Sequence, residues 1–96
     1  MAYSKVHISN STPYTVDGTV NYLSAFCSDD KFKIQPWGEW TAGSRGVCLL
    51  TKISANVHTP ESETSATSYE SSGTSYSQFI IAQTKTGEYV VTRKVT

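Results

Sequence analysis

An alternating pattern between Tyr14 and Tyr22 constrains the fold of this chain more than any other feature. Every second residue there is apolar, aromatic or glycine, in the order Tyr14, Val16, Gly18, Val20, Tyr22. Successive side chains of a β-strand point to opposite faces, so this period of two predicts a strand with one buried face.

Several other segments share this period, and together they predict an all-β chain. They are residues 3–9, 31–35, 47–57, 75–83 and 88–95. No window has a useful apolar stripe at helical spacing, and β-branched residues are abundant. Turn residues recur at intervals of roughly 8–12 residues, which is typical of sandwiches and small barrels. We therefore expect a single compact antiparallel β-sandwich of about seven or eight strands, forming one domain over residues 1–96.

The turn signals predict how neighbouring strands connect. Residues 10–13 and residues 85–87 each predict a hairpin, the first between the two opening strands and the second at the end of the chain. Residues 58–65 are predicted to be a loop, followed by a short edge strand and a turn at Ser72 and Gly73. Within residues 47–57, the alternation places Leu49 on the same face as Ile53.

Charge and polarity restrict the classes of partner. Eight basic residues balance eight acidic ones, which leaves no electrostatic footprint for nucleic acid or an anionic membrane. Charged residues make up 17% of the chain, and Ser, Thr and six Tyr supply neutral hydrogen-bonding groups instead. Such a composition is typical of sugar-binding surfaces, and also of ordinary solvent-facing strands.

Localisation and the state of the cysteines are linked predictions. No apolar run reaches the roughly 18 residues of a transmembrane helix. The start of the chain lacks the apolar region of a signal peptide, so with a native Met1 we expect a cytoplasmic protein, or one secreted without a visible signal. Cys27 and Cys48 allow either one disulfide or two buried thiols, and a reducing compartment favours thiols.

No motif predicts catalysis, a cofactor or a metal. His7 and His58 occupy polar positions at strand faces or ends, where an exposed structural role is expected. Residues 43–46 lack the G-x-S-x-G spacing of a nucleophile elbow. Asp29 and Asp30 form an acidic turn that falls far short of an EF-hand calcium loop. The chain is therefore predicted not to be an enzyme.

The strongest candidate site lies in residues 36–46. Trp37 and Trp40 have opposite parity in an extended segment, and we expect Trp40 in the core and Trp37 exposed. An exposed Trp beside glycine is a platform for a sugar ring or for interfacial lipid. Arg45 is expected to pair with Glu39 or with a ligand carboxylate or phosphate. The alternative is that both Trp side chains fill the ends of the core.

A second candidate is the Tyr-rich segment 65–77, which is predicted to form a hairpin carrying Tyr69 and Tyr76. Its Ser, Thr, Tyr and Gly content is that of a binding loop. A flexible loop of low charge has the same composition, and this alternative stays open.

Several motifs resemble the actinoporin-like group of β-sandwiches, which includes the aegerolysins and the fungal fruit-body lectins. They are Val6-x-Ile8-x-Asn10-x-Thr12, Val16-x-Gly18-x-Val20, Pro36-x-Gly38-x-Trp40, Arg45-Gly46 and Ile53-x-Ala55-x-Val57. The resemblance covers about the first sixty residues and implies a sandwich that binds lipid head groups or glycans through end loops. The chain is shorter than those families and has no amphipathic N-terminal helix, so pore formation is not implied.

These observations predict a non-catalytic binding module, either lectin-like or specific for lipid head groups. The predicted ligand-binding residues are Trp37, Glu39, Arg45, Tyr69 and Tyr76. The alternative is a protein-interaction module: an inhibitor, an antitoxin-like partner, or the self-assembling subunit of a homo-oligomer. The strand edges that an open sandwich exposes are the reason for this alternative.

Overall fold

The computed structural model describes residues 2–95, which form β-strands and no helix. The strands are β1 His7–Asn10, β2 Thr15–Tyr22, β3 Asp30–Ile34, β4 Glu39–Thr41, β5 Leu50–His58, β6 Glu63–Ser65, β7 Tyr69–Thr74, β8 Gln78–Lys85 and β9 Glu88–Arg93. The all-β prediction is confirmed. Over the same range, no helix is present that could cross a membrane. The radius of gyration, 12.9 Å, is that of a compact chain of this length.

The strands form two sheets. One has the order β4-β1-β8-β9, and the other has the order β3-β2-β5-β6, with β7 also paired to β5. The sequence predicted seven or eight antiparallel strands, whereas residues 2–95 contain nine, and β1 and β8 run parallel. The predicted strand count was too low because β4 and β6 have three residues each, too few to display a period of two. The parallel pair was not predicted because the sequences of two distant strands do not indicate their relative direction.

The two sheets share one apolar core. Fully buried side chains come from both sheets, including Ile8, Phe79, Ile81, Val16, Val20, Ile53 and Val57. Val6, directly before β1, is also fully buried. The alternation in β2 is confirmed, because Val16, Val20 and Tyr22 all face this core. Gly18 lies on the same face, where the Phe32 ring and the β5 backbone approach too closely to admit a Cβ atom.

The face prediction for the long central strand is wrong at its beginning. β5 starts at Leu50, and its pairing with β7 shifts register between Leu50 and Lys52. Such a bulge inserts a residue and reverses the face of the side chains before it. Leu50 therefore joins Ile53 in the core, while Leu49 is only partly buried.

The first predicted hairpin is also wrong, because β1 and β2 belong to different sheets. The chain crosses between them at Asn10, whose side chain is 2% exposed. Asn10 Nδ2 donates to the carbonyl oxygens of Tyr14 at 2.8 Å and Gln35 at 3.0 Å. Asn10 Oδ1 accepts from the backbone N of Thr12 at 3.0 Å and from its Oγ1 at 2.8 Å. These bonds stabilise a corner instead of a hairpin, whereas the β8–β9 hairpin is confirmed.

Residues 58–77 also differ from the prediction. The predicted loop contains β6, which pairs with the end of β5. β7 continues through Ser72 and Gly73, so the Tyr-rich segment is not a hairpin of its own. It lies along β5, with Tyr69 opposite Ile53 and Thr74 opposite Leu50. Pairing with a strand distant in sequence outweighs the local turn signal.

The connections gather at two ends of the molecule. The end that we call the disulfide end consists of residues 2–6, 23–29, 42–49, 75–77 and 94–95. The opposite end, the Trp37 end, consists of residues 11–14, 35–38, 59–62 and 86–87. At the Trp37 end the chain crosses between the sheets from β1 to β2 and from β3 to β4, and both crossings pass beside Asn10.

We predict that Asn10→Ala lowers the free energy of unfolding by about 3 kcal/mol, because several buried backbone groups lose their partner at once. Urea denaturation measures the change. The matched control is Asn21→Ala in β2, whose half-buried side chain should contribute no more than about 0.5 kcal/mol. Equal losses in the two variants would contradict the role of Asn10.

Candidate functional site

The predicted site residues do not form one site. β4 runs antiparallel to β1 and separates Trp37 from Arg45. Trp37 donates its backbone N–H to Thr12 at the Trp37 end, whereas Gly46, next to Arg45, accepts from Tyr3 at the disulfide end. Trp37 and Arg45, two of the three ligand contacts predicted in residues 36–46, are therefore at opposite ends of the molecule.

The predicted pairing of Glu39 with Arg45 is wrong. Glu39 Oε1 lies 2.7 Å from His7 Nε2, and His7 Nδ1 lies 2.9 Å from Thr41 Oγ1. His7 and Glu39 belong to the adjacent strands β1 and β4, with His7 opposite Thr41. This register places the His7 imidazole next to the Glu39 carboxylate, which is therefore not at the disulfide end.

The two Tyr residues also have different surroundings. The Tyr69 ring packs against Phe79, with 4.8 Å between centroids, and belongs to the margin of the core. Tyr76 is exposed, and the guanidinium carbon of Arg93 lies 3.4 Å from its ring centroid. Of the predicted ligand-binding residues, Tyr76 and Arg45 are brought together, at the disulfide end.

Arg45 is buried, contrary to the surface position that an ion pair with Glu39 implied. It is 6% exposed, and its Nη2 donates to the carbonyl oxygens of Ser75 at 2.6 Å and Tyr76 at 3.0 Å. Nε and Nη1 are buried without an acceptor among the described residues. Burial lowers the pKa of Arg45, while the Tyr22 and Tyr3 side chains act in the opposite direction. A guanidinium nevertheless keeps its proton in proteins, so Arg45 is a buried cation.

Arg45 forms part of the wall of a cavity of about 260 Å³. Tyr22, Asp30, Ser28 and Ser44 also line it. Tyr22 donates its phenol proton to Asp30 Oδ2 at 2.6 Å. Desolvation, reinforced by this bond and by the charge of Asp30, raises the pKa of Tyr22 well above its usual value. The cavity thus presents a cation, a carboxylate and several hydroxyl groups.

A disulfide joins Cys27 to Cys48 beside this cavity, so the alternative of two free thiols does not hold in this structure. It links residues 23–29 to residues 42–49, which are separated by two short strands. Closing a loop of this length contributes about 3 kcal/mol to stability through the entropy of the unfolded chain. The bond therefore fixes two loops that share few other contacts between backbone groups.

Exposed apolar side chains are concentrated at the same end. Seven large ones are exposed among residues 2–95, and all but Trp37 lie at the disulfide end: Tyr3, Leu23, Phe26, Val47, Tyr76 and Val95. Leu23, Phe26 and Val47 line one open hollow with the disulfide and Leu49. Phe26 is 100% exposed. Single exposed apolar residues are common, but a cluster of them marks an interaction surface.

The charges of the connecting segments are also unevenly divided. Those at the disulfide end contain three basic residues, Lys5, Arg45 and Lys94, against one acidic residue, Asp29. Those at the Trp37 end contain one charged residue, Glu61. The zero net charge of the chain conceals this difference between the two ends.

Trp37 is the second notable feature, at the other end. It is 67% exposed, and Trp40 is half-buried against Phe32 at 5.4 Å between centroids, as the opposite parity predicted. Gly38 donates its N–H to Gln35, which closes a turn with Trp37 in its third position at a φ of 61°. Glycine or asparagine is favoured at that position, and a bulky residue there is strained.

A polar groove lies next to this turn. It is lined by Thr15, Asp17, Lys33, Gln35 and His58. His58 Nε2 is 2.7 Å from Asp17 Oδ2, and its Nδ1 is 3.5 Å from Glu63 Oε1. Both histidines of the chain are therefore paired with carboxylates, and the groove offers donors and acceptors close to Gln35 of the Trp37 turn.

The sequence interpretation did not identify Tyr22, Phe26 or Asp30 as site residues. Tyr22 continues a core-facing alternation, and Asp30 belongs to a predicted acidic turn. The signal that was available is the cysteine pair, because a bond between Cys27 and Cys48 brings the loop containing Phe26 to the loop containing Arg45. Apolar residues inside a loop, as in Leu23 to Phe26, would then have indicated an exposed patch.

Comparisons with protein-family models, with curated proteins and with solved structures find no significant match. The resemblance to the actinoporin-like group thus stays a prediction.

We predict that stability falls as the pH rises above about 10, the pKa of an unfolded Tyr, and that Tyr22→Phe makes this fall less steep. The folded state holds the Tyr22 proton more tightly than the unfolded state does, so stabilisation is present below the unfolded pKa and is lost above it. Urea unfolding from about pH 8 to about pH 11 gives the slopes. Parallel profiles for the wild type and the variant would contradict the raised pKa.

Proposed function

We propose that this chain is a non-catalytic binding module of the β-sandwich class whose disulfide end docks onto the surface of a lipid bilayer. The observation that carries the proposal is the concentration of exposed apolar side chains on loops of one end, with Phe26 at 100% exposure. Aromatic and aliphatic side chains at loop tips gain free energy when they enter the interfacial region of a membrane.

Charge favours the same surface. When Asp30 and Arg93 at the adjoining strand ends are counted, the disulfide end carries four basic residues, of which Arg45 is buried, against two acidic ones. This excess of positive charge suits the negative potential of membranes that contain anionic lipid. The disulfide holds residues 23–29 and 42–49 together, so Phe26 and Val47 do not have to be ordered separately on binding. Rigid loops lose less conformational entropy when they dock.

One edge of the second sheet is unsuited to pairing between chains, which favours loop contacts. β3 is an edge strand, and its side chains at Lys31 and Lys33 are exposed. Lysines on an edge discourage the addition of another strand. This weighs against the self-assembling subunit that the sequence left as an alternative.

A glycan ligand at the Trp37 end is the second candidate function. Its specific support is the strained turn, because a bulky exposed side chain at a φ of 61° contributes little to folding and needs another reason to be there. An aromatic face next to hydrogen-bonding groups suits a sugar ring. Gln35 connects the turn to the polar groove that contains Asp17 and Lys33.

We predict that Phe26→Ser weakens binding to liposomes containing anionic phospholipid by about tenfold or more, since inserting Phe contributes about 1.5–3 kcal/mol. Co-sedimentation over a range of lipid concentrations measures the affinity. Trp37→Ser is the matched control, because it removes an exposed aromatic residue from the opposite end and should leave the affinity unchanged. Absence of wild-type binding, or equal losses in the two variants, would refute docking through the disulfide end.

We predict that Trp37→Gly raises the free energy of unfolding by about 1 kcal/mol, because glycine relieves the left-handed backbone, and abolishes glycan binding. Trp37→Phe keeps an aromatic face and should retain both the strain and most of the binding. Urea denaturation and a glycan array supply the two measurements. If no glycan binds the wild type, or if Trp37→Gly binds as well as the wild type, the second candidate fails.

A further inference from the structure

The cavity beside Arg45 has a property that docking of apolar loops does not explain. An arginine carries five N–H donors, and Nη2 of Arg45 uses its two on Ser75 and Tyr76. The remaining three, on Nε and Nη1, are buried without an acceptor among the described residues. The Tyr3 ring, whose centroid lies 5.5 Å from the guanidinium carbon, compensates part of this buried charge but accepts no N–H in a hydrogen bond. Unsatisfied donors on a buried charge are costly, and an anion would satisfy some of them.

We infer that the Arg45 cavity binds a phosphate group, with Arg45 as its principal donor. The inference rests on the proposed function only for the source of the phosphate, which is either a lipid head group or a soluble phosphate. At 260 Å³ the cavity is large enough to hold waters or a small anion, and it opens to solvent. Its position beside the apolar hollow, with which it shares Phe26, Cys27 and Cys48, places it where a lipid head group would lie.

Phosphate fits this site better than carboxylate does. The guanidinium donors without an acceptor among the described residues are on Nε and Nη1. Because these N–H groups diverge, one anion can accept from only one of the two nitrogens, and its other oxygens need other donors. A phosphate group has at least three acceptor oxygens arranged around one atom, whereas a carboxylate has two in a single plane. Ser28 and Ser44 add hydroxyl donors to the lining of the cavity.

Asp30 is the opposing charge in the cavity. Its Oδ2 accepts from Tyr22, and its carboxylate repels an anion bound at Arg45. Asp30→Asn removes this charge and keeps an oxygen that can accept from Tyr22. The substitution should therefore tighten phosphate binding, which gives a test that does not depend on removing the buried arginine.

The affinity for inorganic phosphate is measured by calorimetric titration of the intact disulfide-bonded chain. A titration with chloride at equal ionic strength is the reference. We expect Arg45→Met to weaken binding by about tenfold or more and Asp30→Asn to strengthen it. Arg93→Met is the matched control, because it removes a positive charge at the same end without touching the cavity. A urea midpoint for Arg45→Met close to that of the wild type establishes that the variant is folded.

Liposomes distinguish the two sources of phosphate. Phosphatidylcholine vesicles with and without phosphatidic acid are compared for the wild type, Arg45→Met and Phe26→Ser. If a lipid is the source, phosphatidic acid strengthens vesicle binding and Arg45→Met removes that gain. If the chain binds phosphate but not the vesicles, the source is soluble: the proposed docking on a membrane is then refuted, and the phosphate site stands. Vesicle binding that depends on Phe26 but not on Arg45, without phosphate binding, overturns the inference and leaves docking intact. Weaker phosphate binding by Asp30→Asn, or equal losses in Arg45→Met and Arg93→Met, also overturns it.

Discussion

The buried carboxamide of Asn10 holds together the two crossings by which the chain passes between its sheets. Its Nδ2 binds Tyr14, after the first crossing, and Gln35, before the second. The Asn10 backbone N–H donates to Gly38, and Trp37 donates to Thr12. Because backbone polar groups must be satisfied when they are buried, this one side chain allows both sheets to cover the same core at the Trp37 end. The strained turn that presents Trp37 depends on the same corner.

The disulfide end is stabilised differently, and this difference accounts for its surface. Nη2 of Arg45 binds the carbonyl oxygens of residues 75–76, and the Cys27–Cys48 bond joins the two longest connections. These contacts order the loops together with the packing of Ala42, Cys27 and Cys48 against the core, and Leu23, Phe26 and Val47 are left exposed. Covalent and charged contacts keep the loops in place while their apolar side chains remain free for a partner. Among residues 2–95, Nε and Nη1 of Arg45 have no acceptor.

The two ends thus offer different chemistry on one scaffold. The disulfide end combines apolar loop tips with a buried cation, and the Trp37 end combines an aromatic residue with a polar groove. A glycan and a lipid were predicted as alternative ligands of a single site in residues 36–46. The residues on which the two proposals rest instead lie at opposite ends, because β4 separates Trp37 from Arg45. The proposals for the two ends can consequently be tested independently with variants at one end each.

Alternation by itself determined the all-β class and the core face of β2 and β3. These properties depend on the period of two, which every strand imposes locally. Only the tertiary structure decided that β1 crosses to the other sheet, that a bulge turns Leu50 inward, and that β7 pairs with β5. Turn residues at Asn10 or Gly73 are compatible with several geometries, and buried contacts between distant segments select one. The sequence identified Arg45 as a candidate site residue. It could not show that Arg45 is buried, because its burial depends on contacts with the distant residues 75–76.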